Sequence, residues 1–128
     1  MDCNNHRIQV YHLHSLAFIR QIGGKTVFGS SLSSLNYAVG ICMDDSKQIF
    51  VADTNNHRIV VFNHLTGIHV RNIGSQGALA GYLNSPYGVC VNKASGLLYV
   101  ADYDNNRVQV FNKETGKLLI CNFTLKDI

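Results

Sequence analysis

The sequence predicts an all-β protein built from repeated four-stranded antiparallel sheets, and three observations predict it. The stretch Asp53-Thr-Asn-Asn-His-Arg-Ile-Val-Val-Phe62 returns at residues 2–11 and 102–111, each time with an Asp five residues before an Arg. The spans between copies repeat in phase. Val39-Gly-Ile-Cys-Met43 matches Tyr87-Gly-Val-Cys-Val91, and Gln48-Ile-Phe-Val-Ala-Asp53 matches Leu97-Leu-Tyr-Val-Ala-Asp102. Ile22-Gly23 likewise matches Ile73-Gly74, and Leu65-Thr-Gly67 matches Glu114-Thr-Gly116. Finally, no stretch carries a helical period, whereas Gly, Asn, Asp and Ser cluster between the apolar runs as hairpin turns require.

Each full period reads as four strands. The first, near 38–43 and 87–92, is poor in bulky side chains and suited to close packing. The second is Ile49-Phe-Val-Ala52, matched by Leu98-Tyr-Val-Ala101. The third is the Arg-Ile-x-Val-Phe run, which alternates and places Ile and Val on one face. The fourth lies near 68–73, with counterparts near 17–22 and 117–123. Four-stranded sheets at a period of roughly 40–50 residues are the signature of β-propeller blades. On this reading residues 1–23 form half a blade, its strands three and four, while 37–74 and 86–123 form complete blades. The product is a partial β-propeller, an open arc where a closed ring has roughly four to eight blades. An arc leaves unpaired strand edges and an uncovered sheet face, so self-association or completion by further blades is expected.

Composition sets outer bounds. The 128 residues are 46% hydrophobic and 15% charged with a net charge of +3, too apolar for disorder and too weakly basic to demand an anionic partner. No apolar run follows Met1, and Cys3, Cys42, Cys90 and Cys121 show neither a CxxC pair nor zinc-ligand spacing. They read as reduced thiols of a cytoplasmic protein, with no membrane association. The triplet Asn122-Phe-Thr124 fits a glycosylation sequon, of a kind that arises often by chance.

The chain resembles the NHL-repeat family of β-propellers over essentially its whole length. The residues that carry the resemblance are Asp53…Asn56-His57-Arg58-Ile59-x-Val61-Phe62 with its two copies, and the linker Gly74…Gly77…Gly81-Tyr-Leu-Asn-Ser-Pro-Tyr-Gly88. Two departures stand out: Ala38 replaces the Pro86 of the later repeat, and Asn106 replaces the His of the third motif. The resemblance implies a binding module of the type found in tripartite-motif, ubiquitin-ligase-like proteins, where such propellers bind substrate proteins or RNA. No cofactor is expected.

The recurring polar motif is read as a turn staple: Asp2 with Arg7, Asp53 with Asn56, His57 and Arg58, and Asp102 with Asn106 and Arg107. A carboxylate accepting charge-assisted hydrogen bonds from a guanidinium holds such a turn, for roughly 1–3 kcal/mol, and the Asn residues supply left-handed backbone. A feature present in every repeat encodes the repeat; a catalytic device is needed once. The alternative, implied by the family's metal-dependent lyase relatives, makes His6 and His57 ligands of an axial metal, yet the third repeat offers only Asn106 where three or four ligands must converge. His12, His14, His64 and His69 share no spacing, and His12 and His14 read as alternating across a strand. Asp44 and Asp45 read as a solvated turn, and Cys42 and Cys90 as packed, inert thiols. The serines Ser30, Ser31, Ser33 and Ser34 have no partnered base. No enzymatic constellation remains. What remains is binding: a protein partner, or single-stranded RNA stacking on Tyr37, Tyr82 and Tyr87. Protein is favoured, because phosphate recognition needs concentrated positive charge and no Lys/Arg run exists.

Overall fold

A computed structural model describes residues 1–23 and 32–123. Ser30, Ser31 and the Thr124 of the sequon lie outside them. Ten strands follow in order: β1 (Arg7–Tyr11), β2 (Phe18–Gly23), β3 (Ala38–Met43), β4 (Gln48–Asp53), β5 (Arg58–Asn63), β6 (His69–Ile73), β7 (Pro86–Asn92), β8 (Leu97–Asp102), β9 (Arg107–Asn112) and β10 (Leu118–Phe123). They form a two-stranded sheet β1-β2 and two four-stranded antiparallel sheets, β3-β4-β5-β6 and β7-β8-β9-β10. Each sheet is a meander, and the central pairs run in unbroken register, Asp53 opposite Arg58 and Asp102 opposite Arg107.

The middle sheet is buried on both faces, and this corrects the expectation of a one-sided third strand. Ile49, Val51, Val60 and Phe62 share a core with Ile8 and Ile22 of the first sheet. Phe50, Ala52, Ile59 and Val61 share another with Leu98, Val100 and Phe111 of the third. Successive residues of β4 and β5 therefore point into different cores, so both strands read as continuous apolar runs. Each Val, Leu, Ile or Phe side chain among them contributes about 1.5–3 kcal/mol when fully buried. In β9 the place of Val60 falls to Gln109, which is equally buried. Its amide donates to Asp102 Oδ2 (3.0 Å) and to the Tyr82 carbonyl, and its oxygen accepts from the Gly81 N–H (2.9 Å).

The inner strands β3 and β7 approach so closely that a Cβ on Gly40 would lie 2.2 Å from the Tyr87 carbonyl oxygen. This is what the small residues of the first strand are for.

The turns joining strands three and four are also repeated. Asn63 and Asn112 side chains accept two backbone N–H bonds each, Thr66 and Thr115 hydroxyls accept one more, and Gly67 and Gly116 close the turn at φ 73° and 70°. The first sheet uses His12 and Ser15 in the same roles, with Leu16 at φ 56° where the others have glycine. His12 and His14 thus sit in a turn, their rings 6.1 Å apart, and do not alternate across a strand.

Asp44 overturns the reading of a solvated turn. It is buried, and Lys113 of the third sheet donates to it at 2.6 Å while the Gln48 N–H donates at 2.9 Å. Asp45 fits the solvated reading better, pairing at the surface with Lys93. Burial works against the Asp44 charge, but the bonds from Lys113 and Gln48 outweigh it and hold the carboxyl below its ordinary 3.8. The Asp44 bond in turn raises Lys113 above 10.5. A depressed carboxyl stabilises the fold above its unfolded pKa and loses that contribution as pH falls through the folded value. A raised ammonium does so below its unfolded pKa and loses it as pH rises through the folded value. Asp44→Asn should therefore flatten the dependence of the urea midpoint on pH both below 3.8 and above 10.5. Unchanged acid and alkaline limbs would show that the pair is not linked to folding.

Candidate interaction face

The polar motif forms a tight turn at one end of each sheet. After Asp53, Thr54–Asn56 make a single 3-10 turn, and His57 ends it in the left-handed region at φ 55°. Asp53 Oδ2 accepts from Arg58 Nε (2.8 Å) and Asn56 Nδ2 (2.9 Å), and Oδ1 accepts from the Asn36 N–H (2.7 Å). Arg58 also donates to the Ser34 carbonyl at 2.8 Å. The carboxylate and guanidinium thus tie strands two and three to the loop that leads into strand one. Burial pushes the Asp53 carboxyl up, opposed by the bonds from Asn36, Asn56 and Arg58.

The third copy repeats the arrangement. Asp102 Oδ2 accepts from Arg107 Nε (2.7 Å) and Asn105 Nδ2 (2.9 Å), Oδ1 accepts from the Asn84 N–H (2.6 Å), and Arg107 bonds the Leu79 and Tyr82 carbonyls. In the first copy Arg7 Nε reaches Asp2 Oδ2 at 2.7 Å and Asn5 bonds both carboxylate oxygens.

Two assignments within the motif change. The amide that holds the carboxylate in the third copy is Asn105, the counterpart of Asn5 and Asn56. Asn106 instead occupies the left-handed position, at φ 51°, with His6 and His57 in the other copies, both at φ 55°. These histidines, and not the preceding asparagines, supply the left-handed backbone. Their rings reach forward to the next sheet: His6 Nδ1 accepts from the Tyr37 N–H (2.8 Å) and His57 Nδ1 from the Ser85 N–H (3.0 Å). Thr54 adds a second link, donating to the Pro86 carbonyl at 2.8 Å. The residues of the motif join neighbouring sheets as well as closing a turn.

A second inter-sheet clamp escaped the sequence reading. Arg20 donates to the His64 carbonyl (3.0 Å) and Arg71 to the Lys113 carbonyl, so the last strands of the first and second sheets, β2 and β6, each grip a turn of the sheet that follows. The signal was present as Arg20-x-Ile22-Gly23 and Arg71-x-Ile73-Gly74, of which only the Ile-Gly half was matched.

Tyr37, Tyr82 and Tyr87 are each partly exposed. Among the described residues their only ring contact is that of Tyr87 with Tyr103, 4.8 Å between centroids, while Tyr82 packs over Gly77. Tyr103 is 62% exposed and belongs with this face, although it had not been singled out. The described residues contain no cluster of three His, Cys, Asp or Glu that could hold a metal, and the Nδ1 atoms of His6 and His57 are already bonded to amides. Among the described residues the donors fall short of the three or four that a zinc site brings together. The paired cysteines differ from each other: burial pushes the Cys42 thiol up to about 11, whereas Cys90 is exposed because its side of the third sheet has no neighbour among the described residues.

The NHL repeat family model matches residues 35–62 and 83–111, each span running from the loop before strand one, through the Asp–Arg turn, to the end of strand three. The chain carries two NHL repeats. No curated protein matches it. NHL repeats form propeller-type modules that bind proteins or RNA, and here they build a partial propeller of two complete blades, preceded by the two-stranded sheet.

Proposed function

We propose that this NHL-repeat chain is a non-enzymatic interaction module that binds a protein partner on the face formed by the Asp–Arg turns and the loops leading into β3 and β7. The observation that carries this reading is where the basic side chains go. Arg7, Arg58 and Arg107 are engaged in the turns, Arg20 and Arg71 bond carbonyls, and Lys93 and Lys113 pair with Asp45 and Asp44. Phosphate recognition draws on free cations that release counterions, and few are left for it. What the face offers instead is tyrosine, a residue enriched in protein interfaces because it combines apolar area with a polar tip. Cys3, Cys42, Cys90 and Cys121 form no disulfide with one another, which supports a reducing, cytoplasmic setting.

Fluorescence anisotropy with a labelled, mixed-sequence single-stranded RNA tests the choice. The expected result is weak binding that disappears as salt rises and is indifferent to Tyr37→Ala and Tyr87→Ala. Binding that survives moderate salt and is lost in both variants would replace the protein reading with base stacking on the tyrosines.

A further inference from the structure

We propose that His57 is an acid-sensitive latch. Its unprotonated ring nitrogen holds the loop leading into β7, and protonation of the ring releases that loop. His6 makes the same latch to the loop leading into β3. These loops bear Tyr37 and run into Tyr87, so acid loosens the proposed partner face; that consequence rests on the function proposed above, whereas the latch itself does not.

The first observation is the direction of the hydrogen bond. The Ser85 N–H donates to His57 Nδ1 at 3.0 Å, and the Tyr37 N–H donates to His6 Nδ1 at 2.8 Å. A main-chain N–H is a donor only, so the ring nitrogen that faces it must carry a lone pair and no proton. An imidazolium has hydrogen on both nitrogens. Once charged, His57 sets an N–H against an N–H, and the acceptor is gone. Histidine is the side chain whose charge ordinarily changes between about pH 5 and 8.

The second observation is what the bond restrains. Ser85 and Tyr37 lie in the left-handed region at φ 51° and 52°, each one residue before its strand. Neither is glycine, so their surroundings hold this backbone against a local cost. Beside Ser85, the Asn84 N–H donates to Asp102 Oδ1 at 2.6 Å and the Pro86 carbonyl accepts from Thr54. Acid can act on this set through His57 or through Asp102, and substitution separates the two.

The charged neighbours are few. In its own turn His57 stands beside Asp53 and Arg58, which pair with each other. Across the interface lie Asp102, paired with Arg107, and exposed Asp104, whose N–H bonds the Asn84 carbonyl. The stretch Leu83–Pro86 itself has no ionisable side chain. His6 has Cys3, Asp2 and Arg7 in its own turn, and Asp53 behind the Tyr37 loop, where it accepts the Asn36 N–H.

The third repeat supplies the control. Asn106 takes the same left-handed position at φ 51° without a titrating ring. His57→Asn is therefore a substitution this turn already accommodates.

An NMR titration of the full chain from about pH 8 to 5 tests the latch. The Ser85 amide is expected to shift with the same midpoint as the His57 ring. Its protection from hydrogen exchange should fall about tenfold across that step, as for the loss of one hydrogen bond. In His57→Asn the Ser85 step should vanish while the Tyr37 step, which follows His6, remains; His6→Asn should give the converse. A Ser85 amide that ignores the His57 titration would overturn the proposal, and that comparison requires no variant to fold. So would a Ser85 step retained in His57→Asn, which would assign the response to Asp102. A His57 ring still neutral at about pH 5 would overturn it as well.

Discussion

Replacing Asp53 by Ala is expected to destabilise the protein by about 3–5 kcal/mol, the range for removing one partner of a buried ion pair. This exceeds what the motif suggests by itself, because the Asp53 side chain is fully buried and that of Arg58 only 10% exposed. The substitution strands three donors at once: the Arg58 guanidinium, the Asn56 amide and the Asn36 N–H. Arg58 is buried, so water does not readily replace the lost carboxylate and the desolvation of the guanidinium is no longer offset. Domains are commonly stable by only about 5–15 kcal/mol, so a large part of the folded population is at stake. The chain contains its own control. Asp2 and Arg7 make the same contact at 2.7 Å, but their side chains are 28% and 30% exposed, so water can replace the lost partner and Asp2→Ala should shift the urea midpoint far less. Equal shifts for the two variants would show that burial does not govern the strength of this turn.

Gly40→Ala should cost about 3 kcal/mol or more, at the upper end for overpacking, while Gly88→Ala should cost under about 1 kcal/mol. The two glycines occupy the same place in the repeat. A Cβ at Gly40 would meet the Tyr87 carbonyl oxygen at 2.2 Å and the Gly88 Cα at 3.2 Å. Those are backbone atoms of the neighbouring inner strand, which cannot rotate aside, so the sheets themselves would have to separate. A Cβ at Gly88 meets only the Ala101 methyl at 3.4 Å, an ordinary contact. Thermal unfolding of both variants tests this. Comparable losses would mean that the repeat needs glycine for reasons local to the strand and not for the approach of a neighbour.

The contrast between these glycines shows where reading by repeats stops. Repetition made the strands legible to within a residue or so, and it made the Asp–Arg pairing legible, because five residues around a tight turn leave little choice of partner. It could not separate roles inside the turn. Asn56 and His57 are adjacent and polar, and only the backbone dihedral reveals that the first holds the carboxylate while the second takes the left-handed position and reaches the next sheet. Asp44 was misjudged for a similar reason: its partner Lys113 lies in a different sheet, and nothing along the chain connects them.

The sequence by itself therefore determined the unit: four strands, their order, the staple that closes them and the NHL repeat they carry. All of these rest on contacts between residues close along the chain, and local geometry repeats whenever local sequence does. The stacking of one sheet on the next was decided only in three dimensions. Val60 and Gln109 occupy one repeat position and are both buried, yet one packs in a core and the other satisfies three hydrogen bonds. Ile41 and Val89 are near-identical in chemistry and differ in exposure. The physical reason is that a sheet's face has no fixed environment of its own; its burial is set by whatever stands opposite.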